Sequence, residues 1–523
     1  MKGAEVLSKD TMQKDSNELS GKDGLDACIA HCLDEGNDNA ASDFDRLLEC
    51  WSPDEVIGRL AGLRFKDCAA VARQIRQSAA LKYDGRPVKT IATYYHRLNN
   101  GGTERVLCQL CKLWVKMGYK VIVITEEQPS DEDYELPEGI TRLVIPPFLT
   151  LPKNYQTRAE ALRRIIQDYH VDTVVFHGWW VPCALWDVLT IKASGASCIV
   201  VYHNVFSYWM LNDDKNLTNI GDSMAFLTIA DAIVTLSKSD QAFWSCFNNN
   251  VHECINPFSE DLADWVPAPY SANHSILWLA RLDSKQKSPM DIIPIMKEVL
   301  CDVPDAVLHV VGKSNDGYLE MMMQKEVSRQ HLEEHIVFEG FHTDVKPWYR
   351  DCQVFLMTSS FEGYPLTLQE CKMAGRPCVL YEMPYLTLCE GNRGLIPVPQ
   401  RDTRAAARAL VSLLTDDALC DRMGRDARAH IEELAGVDLE GKWRQIFQSV
   451  EQEHQSDVPE AERMMVKTLI AHYMQSLQDA KSVTIKKIVR KLVPERLKPA
   501  FEAFLPRIPS GARIVIKRIL HWS

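Results

Sequence analysis

Two glutamates stand eight residues apart in the stretch Phe361-Glu362-Gly363-Tyr364-Pro365-Leu366-Thr367-Leu368-Gln369-Glu370. Carboxylates accept hydrogen bonds from hydroxyls. The apolar run Val354-Phe355-Leu356-Met357 precedes them, Gly375 follows, and Cys378-Val379-Leu380-Tyr381 lies beyond Pro377. That order predicts a strand, a polar turn, a helix and a second strand. In open parallel sheets ligands sit at the carboxyl ends of strands, where helix N-termini offer free N–H groups to anions. With a helix beginning near Pro365, Glu362 and Glu370 can face one groove, about two turns apart. A ligand carrying both phosphates and hydroxyls suits such a pair.

A second strand mouth carries cations. The run Ser275-Ile276-Leu277-Trp278-Leu279-Ala280 leads into Arg281-Leu282-Asp283-Ser284-Lys285-Gln286-Lys287. An arginine and a lysine there can hold a diphosphate by charge-assisted bonds and neutralise its charge as it departs. Arg281 with Lys287 is the expected pair and Lys285 the alternative. Earlier in the chain, Gly101-Gly102 opens a helix, where backbone can come close to a ligand and N–H groups meet an anion. His177 and His203 each end a strand; such a histidine can bond to substrate, although a structurally satisfied imidazole is the commoner case.

These residues need a scaffold that brings strand ends together. Strand-like runs at Thr90–Tyr95, Val121–Thr125, Thr173–Phe176, Cys198–Tyr202 and Ile233–Leu236 alternate with helical runs such as Glu104–Met117 and Arg158–Asp168. After Ser275, strands at Ala306–Val311, Ile336–Phe338 and Val354–Met357 continue the alternation. The fold class is therefore α/β, with parallel, doubly wound sheets. Cys108 and Cys111 fall within one apolar helical run, with no further cysteine or histidine at metal spacing, and read as core.

With its flanking residues, the Glu-x7-Glu pattern resembles the signature of the retaining GT-B glycosyltransferases of family 4, which have two Rossmann-like domains facing across a cleft. Gly101-Gly102-Thr103-Glu104-Arg105 is similar to that family's glycine loop, and Arg281 with Lys287 to its phosphate-binding pair. The resemblance covers roughly residues 88 to 450. It implies that Arg281 and Lys287 hold the diphosphate and stabilise the leaving group, that Glu370 accepts hydrogen bonds from the ribose, and that Glu362 binds sugar hydroxyls. Gly363, Tyr364 and Leu366 join the donor site, Gly101 and Gly102 let the first domain close on the phosphates, and His203 contacts the sugar or acceptor. Pro365 departs from the glycine of many relatives and lacks an N–H. The implied donor is a nucleotide-diphosphate sugar, a UDP-sugar first among the candidates. The acceptor is a glycan or lipid-linked glycan in cell-surface polysaccharide synthesis. No cofactor or metal is implied; arginine and lysine stand in for the divalent ion. In the family's usual mechanism the leaving phosphate helps to deprotonate the acceptor on the same face. A catalytically silent partner subunit and a nucleotide-sugar epimerase are the alternatives.

The ends of the chain differ from its middle. A composition of 46% hydrophobic and 25% charged residues over 523 positions fits a globular protein of several domains. The net charge of −12 is split unevenly. Residues 1–57 carry five Lys or Arg against fourteen Asp or Glu, and residues 481–523 carry eleven against two. Residues 1–87 read as an acidic, partly helical extension with a capped helix start at Ser52-Pro53-Asp54-Glu55. Residues 88–265 and 266–453 read as the two Rossmann-like domains, and 454–523 as a basic amphipathic tail. Ile485, Ile488, Val489 and Leu492 share one face opposite Lys486, Lys487, Arg490 and Lys491, a pattern suited to lying on an anionic membrane surface. Packing on the acidic head is one rival. Nucleic acid is the weakest, because no aromatic stacking motif accompanies the charge. No apolar leader follows Met1, and sixteen irregularly spaced cysteines fit a reducing compartment. The expected location is cytoplasmic, peripheral on the inner membrane face.

Overall fold

The computed structural model describes residues 85–451, apart from 100, 150, 179–180, 182, 207, 209–225, 228, 259–264, 266–271 and 315–316, together with Cys28. The acidic extension before residue 85 and the basic tail after residue 451 lie outside the described residues.

The first sheet is built from β1 (Thr90–Tyr94), β2 (Lys120–Thr125), β3 (Thr141–Val144), β4 (Thr173–Phe176), β5 (Ser197–Val201), β6 (Ala232–Thr235) and β7 (Val251–Glu253). Their order is β3-β2-β1-β4-β5-β6-β7, and every pairing is parallel. Helices α1 (Gly102–Lys116), α2 (Leu151–Asp168), α3 (Ala184–Ala193) and α4 (Lys238–Trp244) make the crossovers. All residues of β1, β4, β5 and β6 are buried, as expected where helices cover both faces of a parallel sheet. On α1, Val106, Leu107, Leu110, Cys111 and Trp114 recur at helical spacing and are all buried. The Cys108–Cys111 pair belongs to this core as free thiols, and burial pushes the Cys108 thiol up to about 12.

The second sheet has β8 (Ser275–Leu279), β9 (Val307–Val311), β10 (Ile336–Gly340), β11 (Val354–Met357), β12 (Cys378–Tyr381) and β13 (Leu395–Val398) in the order β10-β9-β8-β11-β12-β13, again all parallel. Helices α5 (Ile292–Asp302), α6 (Tyr318–Arg329), α7 (Lys346–Asp351), α8 (Leu366–Met373), α9 (Thr403–Thr415) and α10 (Asp417–Ala435) surround it. The expected doubly wound α/β class with two Rossmann-like halves is what the chain forms.

The last described helix, α11 (Leu439–Val450), departs from a simple division at residue 266. Its Trp443, Ile446, Phe447 and Val450 are buried in the first domain's core beside Trp114. The Trp114 and Trp443 rings meet edge-on at 4.9 Å, and the Val88 N–H donates to Glu451 Oε1 at 2.8 Å. The chain therefore returns to the first domain before residue 453. An apolar helix face states that it must be covered, not which core covers it. The strands β3, β7 and β13 also went unread in the sequence; each is only three or four residues long, and the first two are edge strands with no buried residue.

At the mouths of the first sheet, Arg158 of α2 is completely buried and gathers the surrounding loops. It donates to Asp187 Oδ1 at 3.1 Å and Oδ2 at 2.8 Å, to Glu126 at 2.7 Å, to the Pro146 carbonyl at 2.6 Å and to the Tyr94 hydroxyl. A buried guanidinium with this many acceptors holds β1, the loop after β2 and α3 in one arrangement.

Candidate active site

The turn after β8 and the loop after β11 are tied to each other before any charged group is counted. Trp278 Nε1 donates to Thr358 Oγ1 at 2.8 Å, Thr358 Oγ1 donates to the Lys287 carbonyl at 2.8 Å, and the Ser360 N–H donates to the Gln286 carbonyl at 2.7 Å. Asp283 Oδ1 accepts the N–H groups of Lys285 and Gln286, both at 2.9 Å. Despite the upward push of burial, these bonds and the nearby cations hold the Asp283 carboxyl below its ordinary value. Gly312, at the end of β9, presses on the same turn. Its φ is +140°, and a Cβ built there would lie 1.9 Å from the Ala280 carbonyl oxygen.

This framework sets Lys287 against Glu362. Their side chains are 17% and 7% exposed and form an ion pair, while Gln286 Nε2 donates to Glu362 Oε2 at 3.1 Å. The Glu362 N–H donates to the Tyr385 hydroxyl at 3.2 Å. Of the two lysines the sequence offered, Lys287 is the one that reaches Glu362; Lys285 is exposed. Arg281 remains half exposed at the mouth, 3.3 Å from Asp283 Oδ2.

Helix α8 begins immediately after Pro365, so Glu370 projects from its second turn. Glu370 is paired with Arg105 of α1 in the other domain, and the Tyr349 hydroxyl donates to its Oε2 at 3.1 Å. Burial favours loss of charge at Arg105, but the Glu370 carboxylate more than offsets it and raises the Arg105 pKa. Beside this pair lies a cavity of about 260 Å³ lined by residues that include Arg105, Gln109, Trp265, Asp344 and Glu370. Among the described residues, Arg105 Nε, Gln109 Oε1 and Trp265 Nε1 have no hydrogen-bond partner.

The glycine loop makes its own contacts. Gly101 precedes α1, and the Glu104 carboxylate folds back over it, within 2.0 Å of where a Cβ would stand. Arg97 Nε donates to Glu104 at 2.8 Å; burial nevertheless raises the Glu104 pKa, with Arg97 and Arg281 pulling the other way. Gly102 faces Leu366 Cδ1, 3.5 Å from its built Cβ, and Gly363 abuts the backbone of His203 and Asn204. Tyr364 is buried among Phe355, Leu368 and Leu380 of the second domain, and among the described residues its hydroxyl has no partner. His203 is bonded to His177, 2.6 Å from Nε2 to Nδ1. Burial pushes His203 down to about 3, and burial with the neighbouring His203 lowers His177 well below the usual imidazole value.

The structure thus brings Lys287 to Glu362, and it brings Gly102, Gly363, Leu366, Glu370 and His203 to one seam between the two sheets. Arg281 stands at its edge. Arg105, Gln286, Tyr349, Tyr385 and the His177 contact were not read from the sequence as parts of the site. Arg105 sat in the quoted glycine loop, and its charge next to that loop was the available signal. Two carboxylates, each held by a cation and by a neutral donor, can exchange those partners for hydroxyls or phosphates.

Comparisons with known proteins bear on the family and the fold. A family model described as Glycosyltransferase Family 4 matches residues 100–248, and one described as Glycosyl transferases group 1 matches residues 273–416. An uncharacterized glycosyltransferase of Haemophilus influenzae is 22% identical over 356 residues, 66% of this chain and 96% of that protein. The poly(ribitol-phosphate) alpha-N-acetylglucosaminyltransferase of Staphylococcus aureus is 23% identical over 164 residues, 31% of this chain and 33% of the relative, so the match spans a third of it. Among solved structures, S. aureus TarM in complex with fondaparinux, alpha-GlcNAc-glycerol and UDP has a TM-score of 0.56 at 12% identity, covering 69% of this chain and all of the other. Anabaena HepE in complex with UDP and glucose has a TM-score of 0.56 at 16% identity, covering 69% and 98%. These structural likenesses establish the GT-B fold.

Proposed function

We propose that this chain, which belongs to the family 4, group 1 glycosyltransferases of polysaccharide and glycoconjugate synthesis, moves a sugar with retention from a UDP-sugar to a glycan or lipid-linked glycan, without a metal. The observation that carries the reading is the pairing of the Arg281–Lys287 turn with Glu362 at one strand mouth, with Glu370 on the same loop and helix and the glycine loop of the other domain across the seam. Arg281 and Lys287 take the diphosphate and stabilise it as it leaves. Glu362 turns from Lys287 to sugar hydroxyls, and Glu370 turns from Arg105 to the ribose. The cavity beside Glu370 then receives the base. Proteins with UDP bound, such as TarM and HepE, support this choice of donor. Attack on the face that the phosphate leaves lets that phosphate receive the acceptor proton, so no protein base is assigned.

The test is calorimetric binding of UDP, GDP and ADP in EDTA, followed by transfer assays with the matching sugars. UDP should bind in the micromolar range, and Lys287→Ala should weaken it at least about tenfold, the loss of one charge-assisted contact of roughly 1.5 to 3 kcal/mol. Glu362→Gln should keep UDP affinity and lose transfer by about a hundredfold. Absence of binding by all three nucleotides would turn the reading toward a silent partner subunit; donor isomerisation without an acceptor would turn it toward an epimerase.

A further inference from the structure

Three side chains at the mouths of β1, β4 and β5 form a continuous hydrogen-bonded row. Thr93 Oγ1 lies 3.1 Å from His177 Nε2, and His177 Nδ1 lies 2.6 Å from His203 Nε2. The imidazoles meet edge to edge, with 21° between their planes and 4.9 Å between centroids. Thr93 and His177 have no exposed surface. We propose that His177, backed by the Thr93 hydroxyl, is a positioning residue that fixes His203 as the Nδ1–H tautomer and so presents one hydrogen-bond donor to a sugar oxygen in the cleft. This rests on the glycosyltransferase reading above.

The direction of the row follows from counting donors. A neutral imidazole has one N–H and one acceptor nitrogen, so the row can run only two ways. If His203 Nε2–H donates to His177 Nδ1, then His177 Nε2–H donates to Thr93, whose own hydroxyl proton is left buried without an acceptor. Among the described residues Thr93 Oγ1 has no other hydrogen-bond partner, and an unmet buried donor costs about 1–3 kcal/mol. In the opposite direction the Thr93 hydroxyl and both nitrogens of His177 are met. Thr93 donates to His177 Nε2, His177 Nδ1–H donates to His203 Nε2, and His203 carries its proton on Nδ1. That nitrogen has no partner among the described residues, and the His203 carbonyl lies against Gly363, next to Glu362. Burial disfavours the charged form of both rings, which supports a row of fixed polarity. Free imidazole favours the Nε2–H form; here the protein imposes the other one, as a buried partner does when it selects the useful tautomer of a catalytic histidine.

The test uses the full chain labelled with 15N-histidine, in wild type, Thr93→Val and Thr93→Ser. Wild-type His203 should show a protonated Nδ1 and an acceptor Nε2. Thr93→Val should move His203 toward Nε2–H and lower kcat at least about tenfold, with UDP affinity within about twofold. Thr93→Ser, which keeps the hydroxyl, should restore both. A wild-type His203 protonated on Nε2 overturns the proposal, and so does a Thr93→Val protein whose imidazole signals and kcat match wild type. If the wild type transfers no sugar from any donor, the glycosyltransferase reading falls, while the nitrogen signals still decide the tautomer.

Discussion

Alanine at Gly363 should separate nucleotide binding from sugar transfer. The glycine is not among the residues with positive φ, so alanine meets no obstacle in the backbone conformation itself. Its methyl would stand 2.5 Å from the His203 carbonyl oxygen and 2.7 Å from Asn204 Cα. Both are backbone atoms and cannot swing aside as a side chain can. Ordinary contact begins near 3.4 Å, so the two domains must part at this seam by about 0.9 Å, the difference from 2.5 Å. Displacements of about 1 Å in a reacting geometry cost on the order of a hundredfold in rate. The groups assigned to the diphosphate, Arg281 and Lys287, and Glu370 all belong to the second domain and keep their places, while Arg105 and Gln109 at the cavity assigned to the base move with the first domain. Gly363→Ala should therefore lower kcat about a hundredfold and UDP affinity by less, about tenfold at most. Nucleotide release with the cognate donor and acceptor gives the first quantity and calorimetry the second; a melting curve checks that the fold is retained. Turnover within about twofold of wild type would refute the argument that this close approach is part of the working geometry.

Arg105→Ala should leave the buried Glu370 carboxylate with Tyr349 alone and lower stability by roughly 3 kcal/mol in a denaturant titration; an unchanged midpoint would remove the cross-domain ion pair from the account. Gly312→Ala combines a φ of +140° with a methyl 1.9 Å from the Ala280 carbonyl, and should cost more than about 3 kcal/mol, read as a lower melting temperature. Burial lowers the Lys372 ammonium to about 8 from 10.5. Between those values the folded state binds fewer protons than the unfolded one, so stability rises with pH from about 8 to 10.5, by roughly 3 kcal/mol. The penalty is fully present below pH 8. Lys372→Met should lack that rise, and equal slopes for the two proteins would contradict it. Deleting residues 481–523 should shift the protein from vesicles containing anionic lipid to the supernatant, and sedimentation of the truncated chain with those vesicles would exclude the tail as the anchor.

Local pattern carried much of this molecule. Glu362, Glu370, Arg281 and Lys287 were legible because residue type and position at a predicted strand mouth are both local properties, and α8 begins where Pro365 said it should. Pairing is not local. Arg105 and Glu370 are 265 residues apart, and Lys287 and Glu362 are 75 apart; periodicity cannot join such positions. His177 was legible only as a strand-end histidine, with substrate bonding the lesser reading, and its contact with His203 depends on β4 and β5 lying side by side. The pairings also change how the site must work. Arg281 stands near Asp283, Lys287 on Glu362 and Arg105 on Glu370, so a diphosphate sugar that binds here replaces anions already in place. Each cation is thereby held close to its working position beforehand, which reduces the side-chain ordering that binding would otherwise require. On the proposed reading, the carboxylates Glu362 and Glu370 are released beside the hydroxyls they would bind, so one exchange would arm both halves of the proposed donor site.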